Sequence, residues 1–426
     1  MTTVRNHITV FEHQTIKLNE IVSGIQFCGD KLKALQSYYG ENGVPYFSLT
    51  HNGIRFNEYV GVIQVGNLLI EVLPKADKAR SSKIEELKWR NMLIGMLRAV
   101  HGFDIIATSD STLKIKPNTI LDLYFAFFIK EVEFLLHTGL VKKYRQRAGN
   151  VTSLKGNLIF GKHIQQNCTH GERFYVRHTV YDVRHLLHII LFKTLNLLKK
   201  INSDSKLQSS IGSLLLSFPP MPDIKVSETS FSKITYNRKT LRYKAAIDIA
   251  KLLLLQYHPD VSRGRNNVLA LMFDMNKLWE AFVYKSLQKS KTLQVTAQTS
   301  KDFWKPEHGY RSVVRPDIVI NKGDPKNCIV LDTKWKNLNG FNPSPDDLRQ
   351  LYVYHEYYEA KKVALVYPGT ERLPVRGNYL KPTDGNIMLD KECSIISLPV
   401  LQDIKKWQLD ICSTIINWMT KSVNTP

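Results

Sequence analysis

The chain has 426 residues, of which 43% are hydrophobic and 23% charged, a composition that suits a soluble globular protein of two or three domains with a sizeable core. Lys and Arg number 59 against 38 Asp and Glu, a net charge of +21, and that excess points to a polyanionic partner, because neutralising phosphates releases counterions. Five scattered cysteines without a C-x-x-C spacing argue against a disulfide framework or a zinc site and suit a reducing, cytoplasmic location.

The opening MTTVRNHITVFEH lacks the apolar core of a signal peptide. Residues 1–82 hold short apolar stretches separated by turn residues. VGVIQV and LLIEVLP flank Gly66-Asn67, a two-residue hairpin signal, so a β-rich N-terminal domain is expected. Residues 83–258 read as mostly helical. EELKWRNMLIGMLRAVHG repeats apolar residues at three- and four-residue spacing and stops at Gly102, and NTILDLYFAFFIKEVEFLLHTG behaves similarly up to Gly139. A basic stretch of weak periodicity follows (139–164), then helices over 182–200 and about 239–257. The greasiest of these segments are interrupted by charge and too short to span a bilayer, so no membrane is expected.

Residues 259–426 change character. An amphipathic helix over 273–290 precedes a strand-like LQVTAQ, then the segment RPDIVINKGDPKNCIVLDTKWK (315–336), a helix over 346–361 and a strand over 362–368. CSIISLPV reads as a further strand before a closing helix. The order predicts an α/β (α+β) module with a central mixed sheet flanked by helices.

The 315–336 segment carries two acids inside apolar runs, Asp317 and Asp332, with Lys334 two residues further on. A hairpin turning at Gly323-Asp324-Pro325-Lys326 opposes residues whose numbers sum to 649, which sets Asp317 against Asp332 across adjacent strands and puts Lys334 on the Asp332 face. Opposed like charges destabilise a sheet unless compensated, and a divalent cation such as Mg²⁺, bound by one or two carboxylates, water and substrate phosphate, would compensate them. Such an ion could hold a water for attack on a phosphodiester, with Lys334 positioning or deprotonating it or stabilising the phosphate. No phosphate-cradling glycine loop, H-E-x-x-H or nucleophile elbow appears, so no bound nucleotide is expected.

The run Pro-Asp, spacer, Asp-x-Lys resembles the signature of the PD-(D/E)xK nuclease superfamily. Glu280 on the preceding helix matches an acid that many of its members carry there, and Gln350 with Tyr354 matches the Q-x-x-x-Y pair of a subset. Over about residues 55–400 the chain is similar to the McrC family, nuclease subunits of McrBC-type modification-dependent restriction systems. EYVGVIQVGNLLIEVLPK, WRNMLIGMLRAV, GLVKKYRQRAGNVTSLKGNLIFGKHI, MNKLWEAFV and DDLRQLYVYHEYYEAKKVALVYP carry the likeness. The chain departs from it at Leu154-Lys155-Gly156-Asn157-Leu158, where Leu-Arg-Gly-Arg-Leu is usual, and near Asp182.

The resemblance implies a C-terminal PD-(D/E)xK endonuclease acting on double-stranded DNA with Mg²⁺ (Mn²⁺ able to substitute). Asp317, Asp332 and Glu280 would serve as metal ligands, Lys334 as the catalytic lysine, and Gln350 and Tyr354 as orienting residues. It also implies an McrB-like AAA+ GTPase hexamer as partner, bound through residues 83–258, with the motor supplying recognition of modified DNA; the basic segment 141–163 suits entry into the ring's pore and equally a solvated loop or direct DNA contact. Two other functions compete: a repair or recombination nuclease of the helicase-associated type, and a catalytically silent adaptor that activates a motor.

Overall fold

The structure, a computed structural model, describes residues 6–40, 43–74, 83–101, 119–202, 204–258, 268–290, 292–336, 342–369 and 374–420. The helix end expected at Gly102 and the boundaries expected at 82 and 259 lie outside them. The chain forms two compact units, one of residues 6–114 with 272–426, the other of 115–271 with the first five residues. No described helix is long and apolar enough to cross a membrane.

In the first unit, Asn6–Phe11 pairs in parallel with Leu68–Leu73, which pairs antiparallel with Tyr59–Val65. The hairpin turns at Gly66-Asn67 as the sequence predicts, with Gly66 at φ +58°, the left-handed conformation tight hairpins need. All six residues of Leu68–Leu73 are buried, so Glu71 sits in a strand covered on both faces. Its carboxylate accepts from Arg90 Nε at 2.7 Å and lies 3.2 Å from His7 Nε2. Arg90 belongs to the helix Lys83–His101, which packs against Met275–Gln288 and Ile404–Thr420. A short helix, Gly29–Tyr39, also stands among the N-terminal strands.

The C-terminal part of this unit holds a mixed sheet in the order Val295–Ala297, Ile318–Ile320, Ile329–Thr333, Lys362–Pro368, Asp384–Leu398, Val375–Lys381. The central pairs are parallel and the flanking ones antiparallel. The helix Pro345–Tyr358 covers one face through Leu351, Tyr354 and Tyr358, packed with Val319, Val330, Val363 and Leu365. Ser344 caps its first turn, accepting from Asp347 N, with Pro345 at the position where proline's missing N–H costs nothing. Trp279 of Met275–Gln288 donates from Nε1 to Val366 O at 3.3 Å, and its ring meets Trp335 and Trp407.

The unit of 115–271 is built on the helices Ile120–His137, Leu186–Ile201, Ser205–Ser217 and Lys244–Leu255. The basic stretch without clear period is a strand, Lys143–Val151, paired without a bulge to Phe174–Asp182. Its exposed, polar residues on both faces hid it from a hydrophobic-period reading. Gly156 lies at φ +68°, and a Cβ there would stand 2.3 Å from Arg177 O, so the glycine of Leu154-Lys155-Gly156-Asn157-Leu158 is required by close backbone approach.

Candidate active site

The hairpin register is the one the sequence arithmetic gives. Ile318 pairs with Leu331, Val319 with Val330 and Ile320 with Ile329, each summing to 649, which aligns Asp317 at the strand entrance with Asp332. Pro316 precedes it and cannot donate to a ladder, so regular pairing starts only at Ile318. The carboxylate of Asp317 is instead held by Thr333, whose N–H and Oγ1 both donate to Oδ2 at 2.7 and 2.8 Å.

Asp332 is only 2% exposed. Burial first, then the facing Asp317 charge, pushes its carboxyl from the usual 3.8 up to about 6. Lys334 Nζ lies 3.0 Å from Asp332 Oδ2 as an ion pair, although Oδ2 receives no aligned hydrogen bond. Burial works against the Lys334 ammonium, but Asp332, aided by Asp317 and Asp347, outweighs it and holds its pKa above the ordinary lysine value. Lys334 is therefore a standing cation, suited to orienting a water or a phosphate oxygen and unsuited to removing a proton. Its backbone is fixed on both sides: Lys334 N donates to Val366 O at 3.0 Å, and Trp335 N to Asn276 Oδ1 at 3.0 Å.

Glu280 projects from Met275–Gln288 with its carboxyl raised, first by burial and then by the Asp317 charge. Gln298 Nε2 donates to Glu280 Oε1 at 2.6 Å, and Gln298 N to Asp317 O at 2.9 Å. Gln350 Nε2 donates to Tyr354 Oη at 2.6 Å, and that hydroxyl donates to Arg315 O at 3.2 Å. The Q-x-x-x-Y pair thus braces the backbone two residues before Asp317. Burial first, then the Asp332 charge, keeps the Tyr354 phenol protonated well above its usual range.

The structure brings Asp317, Asp332 and Lys334 together, sets Glu280 within electrostatic reach of both aspartates, and links Gln350 through Tyr354. Among the described residues no three His, Cys, Asp or Glu side chains form a preformed metal-binding group. The residues fit a hard divalent cation that takes one or two carboxylates and completes its shell with water and phosphate: Asp332 Oδ2 is a buried acceptor without an aligned donor. Sequence reasoning missed Thr333, Gln298, Asn276 and the Arg315 carbonyl. Only Thr333 carried a signal, as a hydroxyl flanked by the two charged positions.

A family model, McrBC 5-methylcytosine restriction system component, matches residues 54–368, well over half of the chain. Among solved structures, the chain is similar to one in a refined half-complex from a tetradecameric assembly of Thermococcus gammatolerans McrB AAA+ hexamers with bound McrC. The identity is 20%, the match covers 97% of this chain and 100% of that one, and the TM-score is 0.69, a likeness of fold. It also matches a chain of the cryo-EM structure of the Thermococcus gammatolerans McrBC complex, at 19% identity over 67% of this chain and 88% of that one, with a TM-score of 0.48. Comparison with curated protein sequences gives no match.

Proposed function

This chain belongs to the McrBC 5-methylcytosine restriction system components, and on that premise we propose that it is the DNA-cleaving subunit of such a system, a PD-(D/E)xK endonuclease that works with an AAA+ motor. The observation that carries the proposal is the buried Asp332 opposed to Asp317, with the Lys334 ammonium 3.0 Å away. Asp317 and Asp332 would hold Mg²⁺, with Glu280 entering through a water. The chemistry such a cation supplies is polarisation of the scissile phosphate and acidification of a bound water.

The chain's own residues supply orientation and charge. Thr333 fixes the Asp317 carboxylate, and Tyr354 and Gln350 fix the turn that presents it. Lys334, held charged by Asp332, would stabilise negative charge developing on the phosphate, the kind of preorganised electrostatic term that contributes most to such reactions. The Glu280 carboxyl, raised by burial and by the Asp317 charge, would face the cation through a water.

The motor is proposed from the fold neighbour, in which McrC is bound to McrB AAA+ hexamers. The basic ribbon of Lys143–Val151 and Phe174–Asp182, with the 154–164 segment, is our candidate for ring engagement. Net charge +21 supports double-stranded DNA as substrate. The test is cleavage of methylated and unmethylated duplexes by the chain with an McrB-type AAA+ protein, Mg²⁺ and nucleotide. Asp332→Ala should abolish cutting while stimulation of the motor's nucleotide hydrolysis persists. Undiminished cutting by that variant refutes the assignment.

A further inference from the structure

A second element rises from the edge of the site. Lys301–Trp304 and Ser312–Val314 form a two-stranded ribbon joined by the loop 305–311. Its feet are both site residues. Gln298, which ties Glu280 and Asp317, precedes the first strand, and Arg315, braced by Tyr354, follows the second.

The ribbon is anchored on one side and bare on the other. Tyr358 Oη donates to Thr299 O at 2.5 Å, Lys301 Nζ donates to Tyr357 O at 2.5 Å, and the Phe303 ring packs 5.4 Å from Tyr357. These contacts fix its base to the helix Pro345–Tyr358. Beyond the base, Trp304 is 59% exposed and Tyr310 99% exposed, with Lys305 next to the tryptophan and Arg311 ion-paired to Asp302 across the ribbon. Two large aromatic rings thus stand largely in solvent at the far end of an anchored ribbon. Rings offered this way suit the groove walls of a duplex and the base steps that a wedged side chain opens.

We propose that the 301–314 ribbon is a DNA-engaging element that seats the duplex flanking the scissile phosphate, through Trp304 and Tyr310 with Lys305 on the backbone. The proposal rests on the nuclease reading of the aspartate pair. Placement decides the partner: a ribbon whose feet touch Glu280, Asp317 and Arg315 reaches whatever polymer lies across those carboxylates. Its register shift between Asp302 and Trp304 re-aims the tryptophan, as bulges beside functional sites do.

The test uses the full chain with its motor partner, Asp332→Ala for binding and the native site for cleavage, on a fluorescent duplex. Trp304→Ala with Tyr310→Ala should weaken duplex binding by about tenfold or more and lower cleavage in parallel. The slope of log affinity against log salt should stay the same, since no cation is removed. Trp304→Phe with Tyr310→Phe should recover most of the loss, which separates ring stacking from misfolding. Unchanged affinity and cleavage in the alanine pair, with a native chain that binds and cuts, overturns the ribbon's role alone. A native chain that neither binds nor cuts DNA overturns the nuclease reading and the ribbon with it. Loss of motor association with DNA affinity intact assigns the ribbon to a protein partner and also overturns the proposal.

Discussion

Asp332→Asn should make the metal-free protein more stable at pH 8 while destroying its cleavage activity. Asp332 is 2% exposed and its carboxyl is pushed from 3.8 to about 6, by burial and by Asp317, even with Lys334 beside it. That displacement is worth about 3 kcal/mol of preference for the neutral form. Because the folded-state pKa is raised, the favourable contribution is fully present below pH 4, where the carboxyl is protonated both folded and unfolded. It is lost as pH rises through about 6, where the folded protein must carry the charge. Asparagine has the shape of the protonated acid and never meets that cost.

The variant should therefore gain up to about 3 kcal/mol over the native chain at pH 8 and almost nothing at pH 4, a rise in Tm of several degrees that vanishes in acid. Thermal unfolding across pH 4–8 in the presence of a chelator reads this directly. Added Mg²⁺ should raise the native Tm and leave the variant's unmoved, since ligand that binds only the folded state stabilises it by mass action. A variant less stable than the native chain at pH 8, or a gain independent of pH, refutes the reasoning. The Mg²⁺ midpoint of that stabilisation should fall as pH rises through about 6, since the cation competes with the proton for Asp332, and a pH-independent midpoint counts equally against the reasoning.

Two further outcomes follow from buried polar contacts. Thr333→Val removes one of the two donors on Asp317 Oδ2 while keeping volume and the backbone N–H. The Mg²⁺ midpoint of cleavage should rise about 10–100-fold with maximal rate nearly preserved, measured by metal titration. Arg90→Ala strands the fully buried Glu71 and should cost about 3–5 kcal/mol in denaturant unfolding, whereas Glu71→Leu with Arg90→Met should cost far less than that single change.

What could be read from sequence was whatever depended on local periodicity and on one symmetry. The strand Lys362–Pro368 and the helix Met275–Gln288 follow from apolar spacing, and the sum of 649 follows from centring the 321–328 connection on Asp324-Pro325. The contacts that complete the site lie on no such pattern. Gln298 reaches Glu280 from a left-handed residue at φ +49°, a conformation no propensity assigns to glutamine. Trp335, next after Lys334, donates from Nε1 to Glu12 Oε1 at 3.0 Å, a buried bond between positions 323 apart in the chain. Glu12 follows directly on the first strand, Asn6–Phe11, and nothing in its neighbours marks it as a partner.

That bond bears on how the lysine is held. Trp335 is fixed at its backbone by Asn276, at its ring by Trp279 and at its indole nitrogen by Glu12. Lys334 is its immediate neighbour, so a residue from the far N-terminal end of the unit helps fix the backbone from which the candidate catalytic cation projects. A fixed backbone at that point limits how far the ammonium can wander from Asp332, and preorganisation of that kind saves barrier. The N-terminal strands are therefore more than a neighbouring layer to the C-terminal sheet: through Glu12 and Trp335 they form part of the support on which the Asp332–Lys334 pair stands.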